Sequence, residues 1–266
     1  MKYFCFFTVF LLMTAPLIST AQDKIGSFES IILGNYTRYT EERILFHPGL
    51  FTLQKNARFF VCYSRPFEMK ELDTRSFLFT FPYRNTSFAV IFSSFGREVY
   101  NEQSASVISA HPVSKRVVFS AEVQTVKTNI PGFPAESDYS ASFGALIRSS
   151  RILLGLRLLN AVSAGTAHTQ TVSSKSVTIQ AFLALTESFG LSVGYLKESG
   201  FTESALFESR LKLMNRIFLV SAVGINPLYY GGEAVLTFNR ICFEYYVKEH
   251  SDLGTTIHCG IGFMLK

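Results

Sequence analysis

The run Phe189-Gly190-Leu191-Ser192-Val193-Gly194-Tyr195 places a large apolar side chain at every second position, with glycine or serine between. Successive side chains of a strand point to opposite faces, so this segment has one greasy face and one small face. The same alternation recurs from about residue 57 to the end of the chain. Phe88, Val90 and Phe92 share a face. Val117, Phe119, Ala121 and Val123 oppose Ser120, Glu122 and Gln124. Ile241, Phe243, Tyr245 and Val247 oppose Cys242, Glu244, Tyr246 and Lys248. The pattern predicts strands at 57–64, 74–82, 86–94, 103–111, 115–126, 138–148, 151–160, 175–185, 188–197, 204–213, 215–224, 231–238, 240–248 and 254–265. Most have the roughly 9–11 residues that a tilted strand needs to cross a bilayer.

The predicted connections alternate between long and short along the whole chain. An antiparallel membrane barrel has this asymmetry, with short turns in the periplasm and longer loops outside. The strand count is even, as single-chain bacterial barrels require. Closure also removes edge strands, whose bare backbone groups are not tolerated in hydrocarbon. The expected fold is therefore all-β: a closed antiparallel transmembrane β-barrel of about 14 strands, set in a bacterial outer membrane with lipid as its surroundings.

Composition agrees. The 266-residue chain is 48% hydrophobic and has 27 Phe, 12 Tyr and no Trp. Its charged fraction of 17% is low against the roughly 25% of ordinary globular proteins. A soluble protein covers its outside with charge, whereas a barrel presents apolar side chains to lipid there. A soluble secreted β-sandwich is the main non-membrane alternative. The formal charge of +5 is scattered along the sequence rather than gathered into a stripe, which argues against a nucleic-acid partner.

Three regions are expected. Residues 1–21 read as an export signal: Met1 and Lys2 are the basic start, Phe6 through Leu12 is mostly apolar, and Ser19-Thr20-Ala21 precedes a cleavage point at Gln22. Residues 22–56 form a lead-in too polar and broken to span a membrane. It either tucks into the barrel as a plug, with Phe46, His47, Pro48, Gly49 and Leu50 as candidate plug residues, or packs below the wall as a periplasmic extension. Residues 57–266 form the barrel.

Charges opposite the apolar set should face the lumen, because charge in hydrocarbon is costly. These are Glu122, Arg148, Arg157, Glu208, Arg210, Lys212, Glu233 and Glu244. They form either a network of cross-strand ion pairs or a substrate-selective constriction. His258 alternates with Ile257 and Cys259 and should also point inward. His47, His111, His168 and His250 are dispersed, and no His-Glu-x-x-His pattern or compact acidic loop points to a metal. No catalytic residue or cofactor is expected. Cys242 should face inward and Cys259 lipid, which argues against their pairing. Loops at 127–134 and 161–174 are candidate contact surfaces.

The signal, the glycine-containing lead-in, the segment Phe46-His47-Pro48-Gly49-Leu50-Phe51 and the series of about fourteen strands together resemble the fatty-acid transporter superfamily of outer-membrane proteins, in particular its PorV/PorQ-type members. That group commonly has an Asn-Pro-Ala-Gly-like segment before the first barrel strand; here His47 stands for the Asn and the alanine is missing. The resemblance implies a barrel with an N-terminal region partly inserted into it. Some relatives admit hydrophobic compounds, whereas PorV-like and PorQ-like proteins serve type IX secretion or surface attachment. The leading expectation is a non-enzymatic barrel with secretion-system partners. The alternatives are passive transport of a hydrophobic small-molecule ligand and a purely structural membrane barrel. A membrane-embedded lipid hydrolase is the poorest case, and the sequence leaves the oligomeric state open.

Overall fold

The computed structural model describes residues 47–165, 174–214 and 216–265. Fourteen strands lie within them: β1 Arg58–Arg65, β2 Thr74–Tyr83, β3 Thr86–Gly96, β4 Asn101–Pro112, β5 Val117–Asn129, β6 Glu136–Arg148, β7 Ile152–Gly165, β8 Ser176–Ala184, β9 Phe189–Glu198, β10 Ser204–Met214, β11 Ile217–Ile225, β12 Tyr229–Phe238, β13 Ile241–His250 and β14 Gly254–Met264. Each pairs antiparallel with its neighbours in sequence. β1 closes the ring on β14, from Arg58 opposite Met264 to Arg65 opposite Ile257. Among the described residues no helix is long and apolar enough to cross a membrane.

The period-2 pattern sets which side is which. On β7, Leu153 and Arg157 are buried while Ile152, Leu154, Leu156 and Leu158 are exposed. On β9, Ser192 is buried while Leu191, Val193 and Tyr195 are exposed. Exposed large apolar residues such as Phe92, Phe119, Phe143, Phe207 and Phe243 recur around the ring. An apolar belt of this size is sustainable only against lipid. The wall therefore lies in the outer membrane with its greasy face outward, and its serines, threonines and charges turn inward.

The connections group at two ends. Turns 84–85, 113–116, 149–151, 185–188 and 239–240 lie at the end that holds the start of β1 and the end of β14, as does Arg216 before β11. The loops 66–73, 97–100, 130–135, 199–203, 226–228 and 251–253 lie at the other, as do the end of β7 at Gly165 and the start of β8 at Ser176. By the usual barrel asymmetry the first end is periplasmic. The long–short contrast is weaker than the sequence suggested: 97–100 and 113–116 are equal in length, because β3 and β4 extend their ladder outward to Gly96 and Asn101.

Strand β7 also runs past its expected end at 160. The pairing with β6 skips between Ala141 and Phe143, and Asn160 takes the left-handed φ of 50° on the opposite side of the skip. Asparagine tolerates that conformation, and its backbone N–H donates to Ser142 Oγ at 3.0 Å. The bulge lets pairing resume through Gly165, so the expected 161–174 loop begins later than the composition implied.

Candidate functional site

The lumen at the periplasmic end is occupied by the chain itself. Pro48–Leu53 forms a 3-10 helix with His47 as its N-cap, and His47 to Phe51 are all buried. Proline at the first helical position has the right φ and gives up only an amide that would be orphaned anyway. Leu50 packs in a cluster with Ala110, Val118, Leu146, Leu153, Phe182 and Ala184, contributed by β4 to β8. Phe51 packs into a second cluster with Phe60, Cys62, Leu78, Ala89, Ile91 and Ile108, from β1 to β4. The segment thus bridges two apolar patches on the inner wall. Below it, Thr80 Oγ1 donates to Gln54 Oε1 at 2.8 Å.

His47 is held by missing side chains. A β-carbon at Gly144 would lie 2.8 Å from its Nε2, and one at Gly155 would lie 2.9 Å from its Cδ2. Nδ1 accepts from the Gly49 amide at 3.0 Å, which leaves Nε2–H to donate to the Leu156 carbonyl at 3.1 Å. A neutral imidazole satisfies both contacts. Burial pushes the His47 pKa down to about 4, and the nearby Arg157 charge pushes the same way.

Just beyond His47 the wall contains an ion pair. Arg157 on β7 donates to Glu122 on β5, across β6, and both are almost fully buried. The crossing is possible because β6 presents Gly144 opposite Arg157 and Ser142 opposite Glu122. A second pair lies within β10: Arg210 Nη2 donates to Glu208 Oε2 at 2.6 Å. The Arg210 guanidinium lies 5.8 Å from the centre of the Phe182 ring. Gly190 makes room for that ring, since a β-carbon there would stand 2.7 Å from it. Phe182 in turn touches the Leu50 cluster, so the β10 pair and the N-terminal segment share one packed neighbourhood.

Glu233 and Glu244 are buried on adjacent strands. Glu233 pairs in register with Tyr246, Tyr246 with His258, and His258 with Ser64, forming a continuous inward row over β12, β13, β14 and β1. Two of the eight predicted charges stand apart. Arg148 is half-buried at the periplasmic rim and donates from Nε to the Lys115 carbonyl at 2.9 Å. Lys212 sits at the same rim with its ammonium 6.0 Å from the Phe218 ring centre. Their parity is inward, but the strand ends carry them past the buried part of the lumen.

Cys62 is buried, Cys242 half-buried and Cys259 exposed toward lipid. Among the described residues no group of three His, Cys, Asp or Glu is placed to hold a metal ion. Sequence reasoning missed Gln54 and Phe51 as parts of the N-terminal seat. Phe51 was legible as the next apolar residue after Leu50, but its burial depends on which wall it meets. Phe46 and the expected export signal lie outside the described residues.

No family model and no curated protein matches the chain. Solved structures do. The toluene transporter TodX of Pseudomonas putida superposes with a TM-score of 0.60 at 8% identity, covering 86% of this chain and 93% of that one. The outer membrane protein Omp33 of Acinetobacter baumannii gives 0.53 at 8% identity, covering 79% and 98%. At such identity the likeness speaks for architecture, and no specific tie to PorV/PorQ-type proteins emerges from it. With its greasy belt, polar interior and ring closure, the chain is a closed 14-strand outer-membrane β-barrel of the same overall fold as these two proteins.

Proposed function

We propose that this barrel is a non-enzymatic, passive route for small hydrophobic molecules across the outer membrane, with the segment from His47 to Leu53 seated as its periplasmic plug. The observation that carries the reading is the burial of Leu50 and Phe51 in two apolar patches of an inner wall. A water-filled pore needs a polar lining throughout; here the wall under the segment is greasy, and unseating it would offer that surface to an apolar solute. Glu122–Arg157 and Glu208–Arg210 serve as internal braces in this reading, since each charge already has its partner nearby. Fold likeness to a toluene transporter supports the same direction. For these two reasons a small-molecule route takes precedence over the secretion or surface-attachment role that the resemblance implied.

The test is uptake of labelled toluene by vesicles bearing the full chain, compared with vesicles bearing Phe51→Ala. The plug reading expects faster entry in the variant and saturable entry in the parent. Equal, unsaturable entry in both, or isolation of the native barrel in a stable complex with secretion components and no bound apolar cargo, would refute it.

A further inference from the structure

The two ends of the barrel differ sharply in charge. The six periplasmic connections hold six basic residues, Arg84, Lys115, Arg116, Arg151, Arg216 and Arg240, against one acid, Glu187. The seven connections of the opposite end hold three basic residues against six acids. There the charges neutralise one another: Asp73 bonds both Arg65 and Arg97, and Lys197 Nζ bonds Glu203 at 2.6 Å. At the periplasmic end Arg84, Lys115, Arg116, Arg216 and Arg240 are exposed, and among the described residues none of them makes an ion pair.

Their placement points to the bilayer rather than to open water. Tyr83 and Phe238 are exposed on the lipid-facing side at the last positions of β2 and β12. The Arg84 guanidinium lies 5.5 Å from the Tyr83 ring centre, and that of Arg216 lies 6.0 Å from the Phe238 ring centre. Each arginine therefore stands at the boundary where the greasy belt ends and headgroups begin, its charge over an aromatic ring. The Arg148 bond to the Lys115 carbonyl fixes a third turn at the same level. Guanidinium pairs with phosphate through parallel N–H donors.

We infer that the periplasmic turns form a cationic collar that binds the phosphates of anionic phospholipids in the inner leaflet. Each such cation near an anionic surface multiplies the preference about fivefold. The collar is independent of what passes through the lumen.

The experiment is native mass spectrometry of the detergent-solubilised full chain, titrated with phosphatidylglycerol or phosphatidylcholine of matched acyl chains. The collar expects phosphatidylglycerol to be retained preferentially, and Arg84→Gln with Arg216→Gln to lower that preference by on the order of 20-fold. Extending the change to Lys115→Gln, Arg116→Gln and Arg240→Gln should lower it by on the order of 1000-fold. Lys70→Gln with Lys175→Gln, at the opposite end, should leave it intact. If the five-site chain fails to give a heat-modifiable barrel, the two-site chain decides. Equal retention of the two lipids, or unchanged retention in the two-site chain, overturns the inference. So does stronger binding of soluble polyglutamate than of phosphatidylglycerol, which would assign the collar to an acidic protein.

Discussion

Replacing Phe51 by alanine should unseat the N-terminal segment while leaving the wall intact. The ring is fully buried against Phe60, Cys62, Leu78, Ala89, Ile91 and Ile108, side chains fixed on four strands that have their own ladders to hold them. They cannot collapse into the space the ring leaves, so the loss should approach the upper part of the usual Phe→Ala range, about 3–5 kcal/mol. At about 1.4 kcal/mol per tenfold, that shifts the seated–unseated equilibrium by roughly 100-fold to several thousandfold. Hydrogen exchange in lipid nanodiscs reads this directly. The Leu50 amide donates to the His47 carbonyl at 2.9 Å and the Gln54 amide to the Phe51 carbonyl at 3.1 Å, so a seated segment protects both. In Phe51→Ala the peptide spanning 47–54 should exchange at least 100-fold faster, with strands β5 and β9 unchanged. Exchange at the free-chain rate in the parent protein, or protection that the substitution does not alter, would refute the seat.

Three further predictions follow the same geometry. Gly144→Val should eject His47, because even the first added carbon would meet its Nε2 at 2.8 Å; the exchange signature should match that of Phe51→Ala, and overpacking of this kind costs about 1–3 kcal/mol. Acid should also loosen the seat. With the His47 pKa depressed to about 4, the released segment binds the proton more readily than the seated one between about pH 6.5 and 4. Seating stability is complete above that window and falls as pH drops through it, by roughly 3 kcal/mol at most, and His47→Gln should flatten the dependence. Arg157→Gln should lower the heat-unfolding temperature more than the double change Glu122→Gln with Arg157→Gln, since the single change strands a buried carboxylate and breaking such a pair costs about 3–5 kcal/mol.

The barrel was readable because its physics is periodic. Each of the fourteen strands overlaps the span where alternation placed it, since lipid outside and polar groups inside favour that arrangement for runs such as Phe189–Tyr195. What escaped the sequence is what depends on pairing. Asn160 gives no sign in the sequence that β7 will bulge there against β6 and then resume pairing, so the expected strand stopped at 160. The equal lengths of 97–100 and 113–116 arise because β3 and β4 support each other past their apolar stretch. Glu122, Arg157, Glu208 and Arg210 are buried, and only the register and the small residues between them determine which charges meet. Arg148 and Lys212 share the parity but sit at the rim. Gly144 and Gly155 look like ordinary strand glycines until His47 is found against them.

The most direct measurement is a spin-label scan along β9 in lipid, one position at a time from residue 189 to 195. A closed barrel with a greasy exterior predicts that labels at Phe189, Leu191, Val193 and Tyr195 are relaxed by oxygen dissolved in the bilayer. Labels at Gly190, Ser192 and Gly194 should be shielded from it. A chain that stays monomeric in plain buffer and shields the odd-numbered positions from both oxygen and water would contradict the membrane barrel outright.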